Sequence, residues 1–222
     1  MAHASIRRLA VFACDGTLID GQASICAAME QAFGQFGLPL PPRNEVRRAV
    51  GLSLPSAISR LLPNAEPEQH HALVDAYKQA FRAARQAGEL QQPLYEGIAP
   101  LLVRLHEAGW LLGVATGMSS RGLGHCLAGH GLSHLFVTLQ TADLHPSKPH
   151  PAMLEAALAE TGVPAGHAVM IGDTAFDMAM AAAAGVRGLG VDWGYHEAAE
   201  LLAAGAESVA ADPAHLEELL SL

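Results

Sequence analysis

Residues 6–17 read IRRLAVFACDGT, a short apolar run from Ile6 to Cys14 that ends at Asp15-Gly16-Thr17. The length of the run and the glycine that stops it predict a buried strand that enters a loop. Side chains of a strand alternate between its two faces, so residues 13 and 15 are expected to point to one side and Cys14 to the other. Ligands of open α/β sheets bind outside the carboxyl ends of strands, which makes this loop a candidate site.

The rest of the chain divides into a helical block and a strand–helix alternation. From residue 24 to residue 88 the sequence has helical character interrupted by prolines, and we expect an insertion of three or four helices. After Pro93 five strands are predicted, over residues 110–115, 135–139, 168–171, 186–191 and 208–210. The alternation predicts an α/β fold, a Rossmann-like three-layer core with a parallel sheet and right-handed crossovers. We assign residues 1–19 and 93–222 to this core and residues 20–92 to a small all-helical cap.

Composition excludes some classes of partner. The 222 residues carry a formal net charge of −9, which argues against nucleic acid because a phosphate backbone needs a basic surface. A small phosphorylated metabolite needs only one local cationic spot. Three cysteines without paired spacing predict reduced thiols and a cytoplasmic location, and no apolar run approaches the roughly 20 residues of a membrane span. The oligomeric state is left open, and a monomer is compatible with the sequence.

Polar residues follow three of the predicted strands. They are Asp15-Gly16-Thr17, Thr116-Gly117 and Gly172-Asp173 with Asp177 one helical turn later, and Lys148 lies between the second and third groups. Carboxyl ends of parallel strands meet at one edge, so these residues are expected to lie together. Carboxylate oxygens suit Mg²⁺, which also keeps water and phosphate oxygens as ligands. Lys148 offers a point charge, and amides near Gly117 offer donors for a phosphate group.

In the same order these residues resemble the four motifs of the haloacid dehalogenase superfamily, in its phosphoglycolate-phosphatase-like branch. The resemblance covers nearly the whole chain, because the helical block occupies the position of that family's small cap. The matching stretches are Ala13-Cys14-Asp15-Gly16-Thr17-Leu18, Thr116 after a hydrophobic strand, Lys148, and Gly172-Asp173 through Asp177.

The resemblance implies a magnesium-dependent phosphatase that works in two steps, through an aspartyl-phosphate. In this family an aspartate attacks phosphorus, and water then hydrolyses the intermediate. The residue matching Asp15 protonates the leaving oxygen, activates water and binds Mg²⁺ through its carbonyl group. The residue matching Thr116 holds a phosphate oxygen, and the one matching Lys148 balances negative charge. The residue matching Asp173 ligates Mg²⁺, and the one matching Asp177 supports the metal without contacting it.

The first motif departs from the family pattern, because the attacking aspartate is replaced by Ala13. A methyl group offers neither a nucleophile nor a metal ligand. We therefore expect no aspartyl-phosphate and a hydrolytic rate lowered by several orders of magnitude. Binding of a phosphorylated compound is expected to survive, or to strengthen, because an anion beside the phosphate is removed. Two origins of Ala13 are compatible with the sequence: the alanine is native, or it is a single substitution in an otherwise complete site.

Substrate contacts from the cap are predicted at Arg47, Arg48 and Ser53, because cap loops of this family close over the site. Closure would also exclude water from the reacting phosphate. Trp193 and Tyr195 follow the predicted strand 186–191 and are interpreted as packing residues at the wall of the site.

Three alternatives to a phosphatase share this scaffold. A phosphomutase differs in retaining and returning the phosphoryl group, and a substrate survey separates the two. A dehalogenase does without the metal-binding acids, so Asp15 and Asp173 argue against it. A non-catalytic protein that binds a phosphorylated metabolite or a protein partner is compatible with a native Ala13.

Overall fold

The computed structural model describes residues 7–221 and is built on one six-stranded sheet. The strands are β1 (Arg8–Phe12), β2 (Trp110–Thr116), β3 (Phe136–Thr141), β4 (Ala168–Gly172), β5 (Arg187–Val191) and β6 (Ser208–Ala210). All neighbours pair in parallel, in the order β3-β2-β1-β4-β5-β6. The strand at the centre is therefore the one that begins the described chain.

Helices cover the sheet and form a separate block. Their bounds are α1 (Gln22–Gln35), α2 (Arg43–Ala49), α3 (Leu54–Leu61), α4 (Pro67–Gln86), α5 (Ile98–Glu107), α6 (Ser120–Gly129), α7 (Ala152–Thr161), α8 (Ala175–Ala183), α9 (Ala198–Ala203) and α10 (Pro213–Ser221). Helices α5, α6 and α10 bury apolar side chains on one face of the sheet, while α7 and α8 cover the other. The α/β fold with a Rossmann-like core of three layers is thus confirmed.

The secondary-structure prediction agrees with the structure to within two residues at each strand end. Ile6, with which the predicted first strand begins, lies outside the described residues, as do the other residues of 1–6 and residue 222. The predicted helical insertion contains four helices, α1 to α4.

The helical block has its own small core and joins the sheet through two adjacent segments. Cys26, Phe33, Ile58 and Leu73 belong to one buried cluster within it. The two connecting segments run side by side: the Asp20 N–H donates to the Pro93 carbonyl at 2.8 Å, and the Tyr95 N–H donates to the Leu18 carbonyl at 3.0 Å. The proposed boundaries at 19/20 and 92/93 fall beside these bonds and stay a prediction.

The first strand alternates as expected. Ala10, Phe12 and Cys14 face the cluster that contains α5, α6 and α10, whereas Val11 and Ala13 face the cluster that contains α7 and α8. Ala13 and Cys14 therefore lie on opposite faces of the sheet.

Among residues 7–221, the helices are all too short or too polar to cross a lipid bilayer.

Candidate active site

The polar groups at the strand ends lie at one height along the sheet. Phe12 pairs with Val114 on one side and with Ile171 on the other. Two residues beyond each of these come Cys14, Thr116 and Asp173. The central strand and its two neighbours therefore deliver their terminal polar residues to the same edge, as the sequence predicts for parallel strands.

Asp173 is fully buried, and both of its carboxylate oxygens accept hydrogen bonds. The Thr17 hydroxyl donates to Oδ1 at 2.9 Å, and the Tyr195 N–H donates to Oδ2 at 3.0 Å. A β-carbon on Gly16 or on Gly194 would come within 2.0 Å and 2.1 Å of this side chain, so neither position has room for one. Gly16 also has a φ of +80°, which favours glycine. Burial raises the pKa of Asp173 to about 7, and the nearby Asp177 adds to the rise.

Asp15 lies beside Gly21, the residue directly before α1. A β-carbon on Gly21 would come within 2.2 Å of Asp15 Oδ1, so the carboxylate occupies the space that a side chain there would need. Oδ1 is buried and has no hydrogen-bond partner among the described residues. Burial raises the pKa of Asp15 to about 7, although Lys148 acts in the opposite direction. This carboxyl group can therefore hold a proton close to neutral pH.

Lys148 and Asp177 form a buried ion pair. Their side chains are 1% and 0% exposed, and Nζ lies 2.6 Å from Asp177 Oδ1. The other oxygen of Asp177 accepts from the backbone N–H of Thr174 at 3.0 Å and from its hydroxyl at 2.7 Å, which caps α8. Asp177 thus binds Lys148 and Thr174 rather than Asp173. Its contacts position the lysine and the start of a helix, and its assignment to supporting a metal stays a prediction.

Thr116 and Gly117 lie where the helical block touches the core. Thr116 is buried, and its Oγ1 accepts from the N–H of Met118 at 3.2 Å. A β-carbon on Gly117 would come within 2.2 Å of the Leu52 carbonyl oxygen, so the loop between α2 and α3 lies directly on this residue. The N–H of Ser53 donates to Ser147 Oγ at 2.9 Å, next to the lysine. The helical block is therefore closed over the strand ends.

The three cap candidates have different surroundings. The Arg47 guanidinium lies 5.8 Å from the centre of the Tyr195 ring, and its Nε is buried without a partner among the described residues. Arg48 forms an ion pair with Glu200 of α9, so it joins the helical block to the core. The Ser53 hydroxyl caps α3 by accepting from the Ser56 N–H at 3.4 Å. Of the three, Arg47 alone has a buried side-chain nitrogen without a partner among the described residues.

The face of β1 on which residue 13 lies determines its surroundings. Ala13 is 3% exposed and packs in the cluster that contains Ala115, on the face opposite Cys14. Within residues 7–221 no three His, Cys, Asp or Glu side chains come together as a metal-binding group. The two carboxylates that remain, Asp15 and Asp173, are those expected from the motifs.

Sequence reasoning missed three contributors to this edge: Thr17, Gly21 and Tyr195. Thr17 belongs to the first motif and was considered only for the backbone amides near it, although its hydroxyl binds Asp173. Gly21 carries a weak signal, because a glycine directly before a helix leaves room for a neighbouring group. Tyr195 was interpreted as a packing residue, and no sequence pattern indicates that its hydroxyl is buried without a partner.

Comparisons with known proteins identify the family of the chain. A family model described as haloacid dehalogenase-like hydrolase matches residues 10–191. The chain is 34% identical to "Probable phosphatase IndB" of Dickeya dadantii, over 90% of this chain and 87% of that protein. It is 29% identical to "Phosphoglycolate phosphatase" of Vibrio cholerae, over 96% of both chains.

Solved structures have the same architecture. A hydrolase from Pseudomonas syringae superposes with a TM-score of 0.84 at 25% identity, over 97% of this chain and 98% of the other. A structure titled as a predicted phosphatase from Clostridium acetobutylicum gives a TM-score of 0.88 at 24% identity, over 98% of this chain and all of the other. The fold and the edge of acidic residues define a phosphatase scaffold. The chain belongs to the haloacid dehalogenase-like hydrolases.

Proposed function

We propose that this chain is a magnesium-dependent phosphatase scaffold for small phosphorylated metabolites of the phosphoglycolate type, with hydrolysis blocked at residue 13. The observation that carries the proposal is the convergence of Asp15, Thr116 and Asp173 at one sheet edge, with the lysine beside them and a methyl group at residue 13. The names of the relatives support the substrate class, since several are phosphoglycolate phosphatases.

The donor atoms at this edge fit Mg²⁺. Asp173 offers two oxygens that each accept one bond and can accept another. One or two protein carboxylates are usual for Mg²⁺, with phosphate and water completing its ligands. We assign the carboxylate of Asp173 and, as the resemblance implies, the backbone carbonyl of Asp15 to holding it, which leaves the Asp15 carboxyl group to carry a proton. When bound, the cation would neutralise charge on the phosphoryl oxygens.

Asp15 is the proton carrier of the proposed reaction. A pKa of about 7 lets it hold a proton near neutral pH and give it up to a leaving oxygen. It is positioned by its place directly after β1 and by the space left at Gly21.

Lys148 and Thr116 bind the phosphoryl group in this proposal. The ammonium of Lys148 uses one of its three protons on Asp177 at 2.6 Å, which leaves two for phosphate oxygens. The hydroxyl of Thr116 accepts from Met118 and keeps its own proton to donate, and the N–H of Gly117 is next to it.

Among the described residues, Cys14 next to residue 13 does not replace the aspartate as a nucleophile. Cys14 points to the other face of the sheet, and its neighbour Cys126 together with burial raises its pKa well above the usual value. It therefore stays a protonated thiol, which is a poor nucleophile. We expect hydrolysis to be slower than in an aspartate-13 enzyme by roughly 10³- to 10⁶-fold.

Restoring the carboxylate tests the proposal. The Ala13→Asp variant is expected to gain phosphomonoesterase activity by roughly 10³-fold or more with Mg²⁺, measured as phosphate release from a panel of small phosphorylated metabolites. The matched control is Ala13→Asn, which has nearly the same shape but no attacking oxyanion and should stay inactive. Equal rates for the two variants, or no gain in either, would contradict the role assigned to this edge.

A second function is favoured by the same methyl group. If Ala13 is native, the chain binds a phosphorylated metabolite without turning it over, because every other polar group of the edge is in place. The codon for residue 13 in the gene separates the two cases: an aspartate codon means an enzyme, and an alanine codon favours the binding protein. The cytoplasmic location and the absence of nucleic-acid and membrane partners stay predictions.

A further inference from the structure

Three buried polar atoms at the closed edge lack a hydrogen-bond partner among the described residues. They are Asp15 Oδ1, Arg47 Nε and Tyr195 Oη. A buried polar group without a partner costs about 1–3 kcal/mol, so such groups are rare unless a ligand or water completes them. The first belongs to the phosphoryl site described above, whereas the other two have no role in it.

Arg47 and Tyr195 approach one another across the boundary between the helical block and the core. The guanidinium lies 5.8 Å from the ring centre, and the ring is only 7% exposed. Tyr195 is fixed by its own N–H, which binds Asp173. Its hydroxyl is an O–H donor at neutral pH, as phenols are, and it belongs to the same residue as the N–H that binds Asp173.

Comparison with the neighbouring Arg48 shows that the lack of a carboxylate partner is specific to Arg47. Arg47 and Arg48 both belong to the last turn of α2, but only Arg48 has a carboxylate partner, Glu200. The guanidinium of Arg47 instead has a buried N–H with nothing to donate to. Successive residues of a helix point about 100° apart, which directs one arginine to α9 and the other towards the strand ends.

We propose that Arg47 and Tyr195 form a subsite for a carboxylate on the leaving-group part of the substrate, so that the preferred ligands are small phosphomonoesters that carry a carboxylate. This inference rests on the proposed function, because it places the phosphoryl group at the lysine and the acids. It assigns Tyr195 a binding role beyond packing, and it selects Arg47 from the three cap candidates.

The chemistry of the pair favours a carboxylate over other groups. A guanidinium and a phenol both donate, and a carboxylate accepts without donating. The arginine brings one positive charge, which a single carboxylate neutralises and a neutral hydroxyl group does not. The ligand must also be small, because the Leu52 carbonyl closes the site directly over Gly117.

Equilibrium binding to the Ala13 protein with Mg²⁺ tests the subsite by calorimetry, since slow turnover leaves the ligands intact. The probes are 2-phosphoglycolate, ethyl phosphate and inorganic phosphate. Ethyl phosphate is similar in size to 2-phosphoglycolate but lacks the carboxylate. We expect 2-phosphoglycolate to bind about 10- to 100-fold more tightly than ethyl phosphate, as for one hydrogen-bonded charge pair. Arg47→Gln should reduce the ratio of the 2-phosphoglycolate affinity to the ethyl phosphate affinity to near one. Tyr195→Phe should reduce this ratio by a smaller factor.

Matched controls separate a subsite from general electrostatics. Arg48→Gln removes the adjacent arginine and the same charge, and it should leave the ratio unchanged. Arg47→Lys keeps the charge and should keep part of the preference. Melting temperatures are measured for every variant, so that a ratio is interpreted only for folded protein, and Arg47→Lys provides the test if Arg47→Gln does not fold.

The outcomes distinguish the two proposals. If inorganic phosphate and ethyl phosphate fail to bind, the phosphoryl site is refuted and the subsite with it. If they bind as tightly as 2-phosphoglycolate, or if Arg47→Gln and Arg48→Gln lower the ratio equally, the phosphoryl site stands and the subsite alone is refuted.

Discussion

The two halves of the site differ in how completely their buried polar groups are paired. On one side Lys148 and Asp177 satisfy each other at 2.6 Å, and Thr174 binds the remaining oxygen of the aspartate. On the other side Arg47 Nε and Tyr195 Oη are buried without partners in the described structure. The paired half belongs entirely to the core, whereas the unpaired half is made when the helical block closes on it.

The difference separates what folding organises from what a ligand completes. A buried ion pair with further hydrogen bonds holds its geometry before any substrate arrives, which keeps the lysine aimed at the strand ends. Unpaired donors instead store an unfavourable desolvation energy that a ligand with the right acceptor releases. We therefore attribute phosphate recognition to the first half and selectivity among phosphate esters to the second.

The largest expected effect comes from breaking the paired half. Lys148→Met leaves Asp177 buried without its counter-charge and should lower the free energy of unfolding by about 3–5 kcal/mol, measured by urea denaturation at pH 7.5. For the double variant Lys148→Met, Asp177→Asn, the loss in free energy of unfolding should be clearly smaller than the sum of the losses of the two single variants.

The control for this comparison is an exposed pair. Arg48→Gln breaks the Arg48–Glu200 pair, whose side chains are 42% and 35% exposed, and should cost less than about 1 kcal/mol. If Lys148→Met cost no more than Arg48→Gln, the buried pair would not be what organises this half.

Opening the unpaired half is expected to have a local effect. Gly117→Ala would place a β-carbon 2.2 Å from the Leu52 carbonyl oxygen, so the loop between α2 and α3 has to move away. Hydrogen exchange at the Ser53 amide, which donates to Ser147 at 2.9 Å, should accelerate at least about tenfold. The amide of Thr174, in the paired half, should keep its exchange rate.

Gly124→Ala is the matched substitution, because nothing lies within 4 Å of a β-carbon there. It should leave both amides unchanged. Unaltered protection of Ser53 in Gly117→Ala would mean that the two parts are not held closed at this contact.

The smallest effect is expected for the unpaired hydroxyl. Tyr195→Phe removes a buried O–H that has no partner, so the free energy of unfolding without ligand should change by less than about 0.5 kcal/mol or rise slightly. Thr17→Val removes a hydroxyl that donates to Asp173 at 2.9 Å and should cost about 1–3 kcal/mol. Equal losses for the two variants in thermal or urea unfolding would show that the Tyr195 hydroxyl is paired after all.

Much of the fold follows from local patterns in the sequence. Apolar runs ended by Gly or by polar residues fixed the strands to within two residues, because strand length and turn chemistry are local properties. The convergence of Asp15, Thr116 and Asp173 followed from parallel topology alone, since the carboxyl ends of such strands share an edge.

The pairing of charges could not be predicted in the same way. Lys148 and Asp177 are 29 residues apart, and only packing brings them together. Arg47 and Arg48 are adjacent in the sequence, and helix rotation and the position of α9 decide which one faces the site. The role of Asp177 in supporting a metal was assigned from a motif and stays a prediction, whereas its contacts to Lys148 and Thr174 could not be predicted from the sequence.

The side-by-side segments at residues 18–20 and 93–95 have a consequence for how such a protein can change. The Asp20–Pro93 and Tyr95–Leu18 hydrogen bonds join the segment that enters the helical block directly to the segment that leaves it. A segment whose two ends nearly touch can be lengthened, shortened or exchanged with little strain on the sheet, because the loop-closure entropy changes slowly with its length. Recombination at these two points would move the helical block, with Arg47, as one unit, whereas Tyr195 and the polar residues of the sheet edge would stay with the core.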